Sequence, residues 1–270
     1  MSGRFSLDGK VAVVSGILGK LGPVWARGLL DAGASVLGLD LPGAEVSPVY
    51  GDLQDEYGPR RIALARADVR ERAALEEALR RCLAEFGVPS VLVNNAGIDQ
   101  PPSPEVRTYL LEEIPIEDVR AVIEVNATAA FQVLQVFGRE MVKARRGSAI
   151  NIGSLYASVS PDARLYEHLP CDPPFLKPPG YGASKAALVN LTKYLAAHWG
   201  PYGVRVNALS PGGVLGGQDE EFQRKFCERV PLGRMAAYED LIGPLVFLAS
   251  DASSYVTGIE LRVDGGYSAW

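Results

Sequence analysis

Ser15-Gly16-Ile17-Leu18-Gly19-Lys20-Leu21-Gly22-Pro23 is the stretch on which the fold turns. It follows a β-branched run, Val11 to Ser15, and precedes an apolar stretch at three-to-four spacing, Val24 to Ala32. Glycines at such a junction permit a tight turn and close backbone approach to a ligand. The helix that follows offers unpaired N–H groups and the positive end of its dipole to a pyrophosphate. Pro23 suits an early helical position, where its missing donor costs nothing. Gly16, Gly19, Leu21 and Gly22 are thus candidate phosphate-turn residues, although an ordinary glycine-rich strand-to-helix turn has the same composition.

The second β-branched run, Ser35 to Asp40, ends in an acid 18 residues past Gly22. A carboxylate there accepts hydrogen bonds from adenosine ribose hydroxyls and repels a 2′-phosphate, so the expected cofactor is NAD, with NADP less favoured. A strand-end turn carboxylate is the plain alternative. Lys20 points the other way, since a cation inside the turn could help hold a phosphate, but no arginine follows Asp40 to support it. Further short runs, Ser90 to Asn94, Ser148 to Ile152, Val204 to Ala208 and Ile259 to Val263, alternate with helical patterns at Arg72 to Phe86, Ile116 to Ala144, Tyr181 to Trp199 and Tyr238 to Ala249. Strands alternating with helices imply right-handed crossovers and a parallel sheet covered on both faces, an α/β doubly wound fold. Two segments interrupt the rhythm: 155–180, with prolines at 170, 173, 174, 178 and 179, and 212–231. Both are expected to be loops or short lids over one edge.

With 270 residues and 47% hydrophobic content the chain can bury one large core, and no repeat or linker divides it, so residues 1–270 are expected to form a single domain. A formal charge of -5 and a pI near 5.2 argue against nucleic acid or a polybasic membrane contact, leaving a small-molecule partner. Cys82, Cys171 and Cys227 form neither a disulfide framework nor a CxxC pair, which fits a reducing cytoplasm. Met1 to Lys10 lacks the apolar region of a signal peptide, and no run approaches the ~18 uninterrupted apolar residues of a membrane span. His168 and His198 stand alone, and no metal site is expected.

Tyr181-Gly182-Ala183-Ser184-Lys185 opens a helical stretch, and a spacing of four puts the phenol and the ammonium on one face. A phenol of pKa about 10 is a poor base near neutrality, but a neighbouring cation and an oxidised nicotinamide both favour phenolate. In isolation such a pair is more simply a helix-surface contact.

The pair is not isolated. Asn94-Asn95-Ala96-Gly97 after a strand, Asn126 within a long helix, Ser154 after the strand Ser148 to Ile152, Tyr181 with Lys185, and Pro211-Gly212 after another strand stand in the order found in short-chain dehydrogenases/reductases. The chain resembles that family from about Leu7 to Trp270. The resemblance implies a Rossmann fold, Tyr181 as general acid/base, Lys185 as its electrostatic activator and a nicotinamide-ribose ligand, and Ser154 as the hydroxyl that orients the substrate oxygen. It implies that Asn126 holds a water connecting Lys185 to solvent, that Asp68 and Val69 meet the adenine, and that Asn95, Ala96 and Gly97 line the cofactor. Pro211, Gly212 and Val214 are implied on the nicotinamide side. Helices Ile116 to Ala144 and Tyr181 to Trp199 are implied to build a homodimer or homotetramer interface, with Leu188, Leu191 and Leu195 as an apolar stripe there or in an intramolecular core.

The sequence departs from the family pattern in three places. Lys20 occupies a usual glycine position, and Gly216 replaces a common threonine. The 26 residues between Ser154 and Tyr181 are about twice the usual number, and such an insertion should wall the substrate cleft. It carries Arg164, Tyr166, Glu167, His168, Asp172 and Lys177, suited to hydroxyl, carboxylate or phosphate groups. The insert, Ser154-Leu155-Tyr156 and Asp264-Gly265-Gly266-Tyr267-Ser268-Ala269-Trp270 also resemble the flagellin-modification protein A group of surface-sugar biosynthesis. That similarity implies a sugar-derived substrate interconverted between secondary alcohol and ketone. Two alternatives stay open: an NAD-retaining sugar epimerase or dehydratase, which uses a similar pair and glycine turn, and a catalytically silent NAD-binding subunit, which is expected to lack the Tyr or the Lys.

Overall fold

Val11–Ser15 buries every side chain, and its alternation sends neighbours to opposite faces of a sheet. Ala12 and Val14 pack in one core with Trp25, Leu29 and Leu245, while Val11 and Val13 pack in a second with Leu79 and Phe137. The strand is therefore covered on both sides, as its continuous apolar composition requires. The computed structural model describes residues 3–103 and 106–270. Met1 and Ser2, where the reading of the N-terminus begins, and Pro104 and Glu105 lie outside the described residues.

In chain order the elements are β1 (Val11–Ser15), α1 (Gly22–Asp31), β2 (Ser35–Asp40), α2 (Pro48–Tyr57), β3 (Ile62–Arg66), α3 (Arg72–Glu85), β4 (Val91–Asn94), α4 (Ile116–Ile123) and α5 (Ala130–Ala144). They continue with β5 (Gly147–Ile152), α6 (Pro179–Trp199), β6 (Val204–Pro211), α7 (Glu220–Cys227), α8 (Glu239–Ala249) and β7 (Glu260–Val263). The seven strands form one parallel sheet in the order β3-β2-β1-β4-β5-β6-β7. This is the single-domain doubly wound fold that the alternation predicts. Helices α1, α2 and α8 contribute to the first core, and α3, α5 and α6 to the second.

Three differences from the sequence reading have physical causes. The runs do not announce α2 or β3: Ile62–Arg66 is alanine-rich, and its five-residue parallel register with β2 overrides its local preference. The expected single helix from Ile116 to Ala144 is broken by a π-helical turn at Glu124–Ala129, which carries Asn126. By length and composition Ile116–Ala144 could cross a membrane, yet Val133, Leu134, Phe137 and Met141 pack into the core of the sheet. The segment 212–231 is not all loop, because Asp219 accepts a hydrogen bond from the N–H of Phe222 at 2.8 Å and caps α7, with acids in its first turn and bases in its last. Leu195 is buried in the second core with Leu191 packed against it, and Leu188 is buried as well, so of the two settings open to the α6 stripe the single chain shows the intramolecular one for Leu191 and Leu195.

Insert, lid and C-terminus meet in a third apolar cluster, in which Leu155, Leu165, Tyr166 and Phe175 pack with Phe226, Met235 and Tyr267. The proline-rich insert is thereby held as a wall by a hydrophobic core of its own.

Candidate active site

β1 and β4 lie side by side at the centre of the sheet, and the chain departs from them in opposite directions, leaving a crevice at their carboxyl ends. A cleft of about 620 Å³ opens there. Strand order gives its direction. Gly16, Gly19, Leu21, Asp40, Asp68 and Val69 line the part beyond β1, β2 and β3; Asn95, Ala96 and Gly97 line the middle; Ser154, Tyr181, Lys185, Pro211, Gly212 and Val214 line the part beyond β5 and β6. Of the residues expected from the sequence, Gly22 and Asn126 are behind the lining rather than in it.

The glycine turn is fixed from several sides. Gly16 has φ +66°, in the left-handed region, and a Cβ there would stand 2.9 Å from the Cα of Ala96. A Cβ on Gly22 would collide with the carbonyl oxygens of Gly16 and Ile17, so this glycine lets α1 start directly beneath the turn. The Ser15 hydroxyl accepts from the N–H groups of Asn95 and Ala96, both at 3.0 Å. Asn95 donates to the carbonyls of Ser15 and Gly16 at 2.9 and 3.0 Å and accepts from the Trp25 indole at 2.8 Å, so its side chain ties β1, β4 and α1 together. Asp40 accepts from the N–H groups of Leu18 and Leu41 at 2.7 and 2.8 Å, one on each oxygen, which leaves each oxygen a further lone pair toward the cleft. Asp68 is gripped by Arg70, whose hydrogen bonds hold its carboxyl below the usual range.

At the opposite end, α6 places Tyr181 and Lys185 one turn apart, with the ammonium 5.8 Å from the phenol ring centre. Lys185 is buried and donates to the carbonyl of Ile152 at 2.8 Å. Burial pushes the Tyr181 phenol up to about 12, the Asp99 charge adds to this, and a hydrogen bond from Ser154 opposes it. The sequence argument expects a neighbouring cation to favour phenolate; in the protein by itself burial dominates and the phenol is raised. Burial pushes the Lys185 ammonium down to about 8 against the opposing Asp99 charge. Asn126 is fully buried: its Oδ1 accepts from the N–H of Ile98 at 2.7 Å, and its Nδ2 donates to the Ile98 carbonyl at 2.9 Å and to Ser184 at 3.1 Å. The π turn thus spends this side chain on joining the β4 loop to α6.

Most of the polar insert does not face the cleft. Arg164 pairs with Asp162, which also meets Arg229, while His168 meets Asp219 at 2.8 Å and Lys225 donates to the Arg164 carbonyl at 2.9 Å. These contacts stitch the insert to α7. Lys177 is the exception and reaches Asp99 on the cleft. Asp99 was missed by sequence reasoning; it lies two residues past Gly97, in a stretch with no motif. Arg66 was missed too: it sits in register with Asp40 on β3 and donates to the carbonyls of Leu41 and Ala44.

A nicotinamide dinucleotide fits these residues. α1 has no side-chain cap at its N-terminus and no acid in its first turn, so its leading amides are left for an anion, and the Tyr181 pair stands at the far end of the same cleft. A doubly wound sheet with a glycine turn at one end of its crevice and Ser154, Tyr181 and Lys185 at the other defines a dinucleotide-dependent oxidoreductase. The chain belongs to the short-chain dehydrogenase family: the model described as "short chain dehydrogenase" matches residues 10–166, and one described as "Enoyl-(Acyl carrier protein) reductase" matches residues 174–268. It is similar to the 2-dehydro-3-deoxy-D-gluconate 5-dehydrogenase of Escherichia coli, 32% identical over 98% of each chain. It is also 32% identical to the D-threitol dehydrogenase of Mycolicibacterium smegmatis, covering 98% of this chain and 95% of that one. Among solved structures, a gluconate 5-dehydrogenase from Burkholderia cenocepacia in complex with NADP and tartrate superimposes with a TM-score of 0.84 at 32% identity, covering 99% of this chain and 98% of that one. The protein is accordingly a nicotinamide-dependent oxidoreductase acting on CH–OH groups and their ketones.

Proposed function

We propose that the chain interconverts a secondary alcohol and a ketone on a sugar or polyol-like substrate, with NAD preferred over NADP. The observation that carries the reading is the placement of Ser154, Tyr181 and Lys185 at one end of the cleft whose other end holds Gly16, Leu21 and Asp40. When bound, the cofactor supplies the hydride chemistry. Tyr181 exchanges the proton of the substrate oxygen at Oη, Ser154 orients that oxygen, and Lys185 biases the phenol toward phenolate. Asn126 holds the β4 loop against α6, behind Lys185. The relatives' names supply the sugar and polyol part of the reading. Asp40 supports NAD, and the nearby cations are already engaged, Arg66 by carbonyls and Arg70 by Asp68; the NADP in the Burkholderia neighbour stands against this preference. A homodimer or homotetramer through the exposed side of α5 and α6, where Phe131 and Tyr194 are exposed, and a cytoplasmic location in keeping with three free cysteines complete the proposal.

Calorimetric titration with NADH and NADPH side by side, followed by turnover of sugars, polyols and apolar secondary alcohols, tests the reading. Tighter NADH binding and turnover of the hydroxylated substrates are expected. Equal or tighter NADPH binding would remove Asp40 as selector, and brisk turnover of apolar alcohols alone would remove the sugar.

A further inference from the structure

Tyr181 is flanked by two lysines. Lys185 stands 5.8 Å from the ring centre, and Lys177, from the insert, stands 5.3 Å from it. Lys177 donates to Asp99 Oδ2 at 2.6 Å, and Asp99 Oδ1 accepts from the N–H of Gln100 at 2.8 Å. The two members of the ion pair are not equally available to a ligand: the Lys177 side chain is 7% exposed and that of Asp99 38%. The ammonium is packed into the wall, and the carboxylate faces the cleft. Elsewhere along the lining the cations are Lys20 and Arg70, beyond β1 and β3, and the buried Lys185, whose Nζ is taken by the Ile152 carbonyl. At the Tyr181 end, among the described lining residues, the accessible charge is therefore a carboxylate with lone pairs to spare.

We infer that the Asp99–Lys177 pair is a substrate subsite that accepts a hydroxyl group near the reacting carbinol, and that it selects neutral polyols and ketoses over sugar acids of the same length. The inference rests on the sugar-like substrate proposed above. A hydroxyl donates to Asp99 in a charge-assisted hydrogen bond, which is roughly twice as strong as a neutral one. A substrate carboxylate brought to the same place meets a like charge inside a confined cleft and loses affinity. Lys177 offsets part of that repulsion from behind while holding Asp99 in place. The long insert acquires a specific purpose: it delivers the counter-ion that lets a carboxylate stand beside Tyr181.

The test is steady-state oxidation of matched pairs, D-glucitol against D-gluconate and D-arabinitol against D-arabinonate, by the wild type, Asp99→Asn and Lys177→Met, with NADH titration of each. For the wild type, kcat/KM for the alditol is expected to exceed that for the aldonate by at least about tenfold. Asp99→Asn is expected to raise the alditol KM and collapse the ratio, with NADH affinity unchanged. Lys177→Met, which leaves the Asp99 charge uncompensated, is expected to widen it. A merely structural role would move both substrates together in both variants. Aldonate preference in the wild type, an unchanged ratio in Asp99→Asn, or a narrowed ratio in Lys177→Met overturns the inference while leaving the sugar reading intact. Should Asp99→Asn not fold, the direction of change in Lys177→Met decides. If the chain binds NADH and turns over apolar alcohols but neither member of any pair, the sugar reading has failed and the subsite falls with it.

Discussion

The Lys20 ammonium donates to the carbonyl oxygen of Gly216 at 2.7 Å, tying the turn that opens α1 to the loop that follows β6. A Cβ on residue 216 would stand 2.5 Å from both Cε and Nζ of Lys20. The two positions at which the glycine turn and the post-β6 loop leave the family pattern are thus in contact, and a lysine at one requires little or nothing at the other. Gly216→Thr alone should displace the Lys20 side chain and weaken NADH binding, whereas Lys20→Gly with Gly216→Thr should recover it. A double-mutant cycle on the NADH Kd is expected to show coupling of about threefold, small because the hydrogen bond is exposed. Strict additivity of the two changes would mean that the clasp does not bear on cofactor binding.

Tyr181→Phe removes the proton-exchanging oxygen and keeps the ring against Lys177 and Lys185. Turnover should fall by roughly 10²–10⁴-fold, the range of a lost general acid/base, while the NADH Kd changes by less than about twofold. Stopped-flow hydride transfer and calorimetry on the same preparation separate the two. Residual activity near wild type would take Tyr181 out of the mechanism.

What the sequence disclosed and what it withheld follow from range. Tyr181 and Lys185 are four residues apart on one helix, and the glycine turn is a local strand-to-helix junction, so short-range rules place both. Asp99 and Lys177 are 78 residues apart and are brought together only by the tertiary placement of the insert, so no spacing rule connects them. Asn126 is visible in the sequence, but the π turn that directs it inward has no local signature. α7 is the opposite case: Asp219, Glu220, Glu221, Arg224 and Lys225 carry cap and dipole signals in the expected order, but the helix is only eight residues long and lies between glycines and Pro231, which give the segment the composition of a loop. β3 was missed because register with β2, a tertiary property, decides it.

Asp219 serves two elements at once. Its carboxylate caps α7 at the N–H of Phe222 and meets the His168 imidazole of the insert, both at 2.8 Å. Asp219→Ala should lower the unfolding free energy by about 1 kcal/mol through the lost cap, and Asp219→Asn, which can still cap, by less. Urea denaturation measures the cap. Limited proteolysis between residues 212 and 231 measures the seam with the insert, and His168→Ala should increase cleavage there with little change in the urea midpoint. Equal stability of the alanine and asparagine variants would show that the cap contributes little to α7.

Lys185 gives the pH dependence. Its ammonium is held near 8 by burial, against 10.5 for an exposed lysine, so between those values the unfolded chain binds more protons than the folded one. Stability contributed by this group therefore rises with pH across that window, and below about pH 8 the buried charge is a standing cost on the order of 3 kcal/mol. Tyr181 acts in the opposite sense only above pH 10, where its raised phenol begins to cost stability as pH climbs toward 12. Lys185→Met removes the titration along with the hydrogen bond to Ile152, and the second loss does not depend on pH. Urea unfolding of both proteins at pH 7, 8.5 and 10 should show the wild type gaining on the methionine variant as pH rises. A constant difference across the three would mean that Lys185 keeps its ordinary pKa despite its burial.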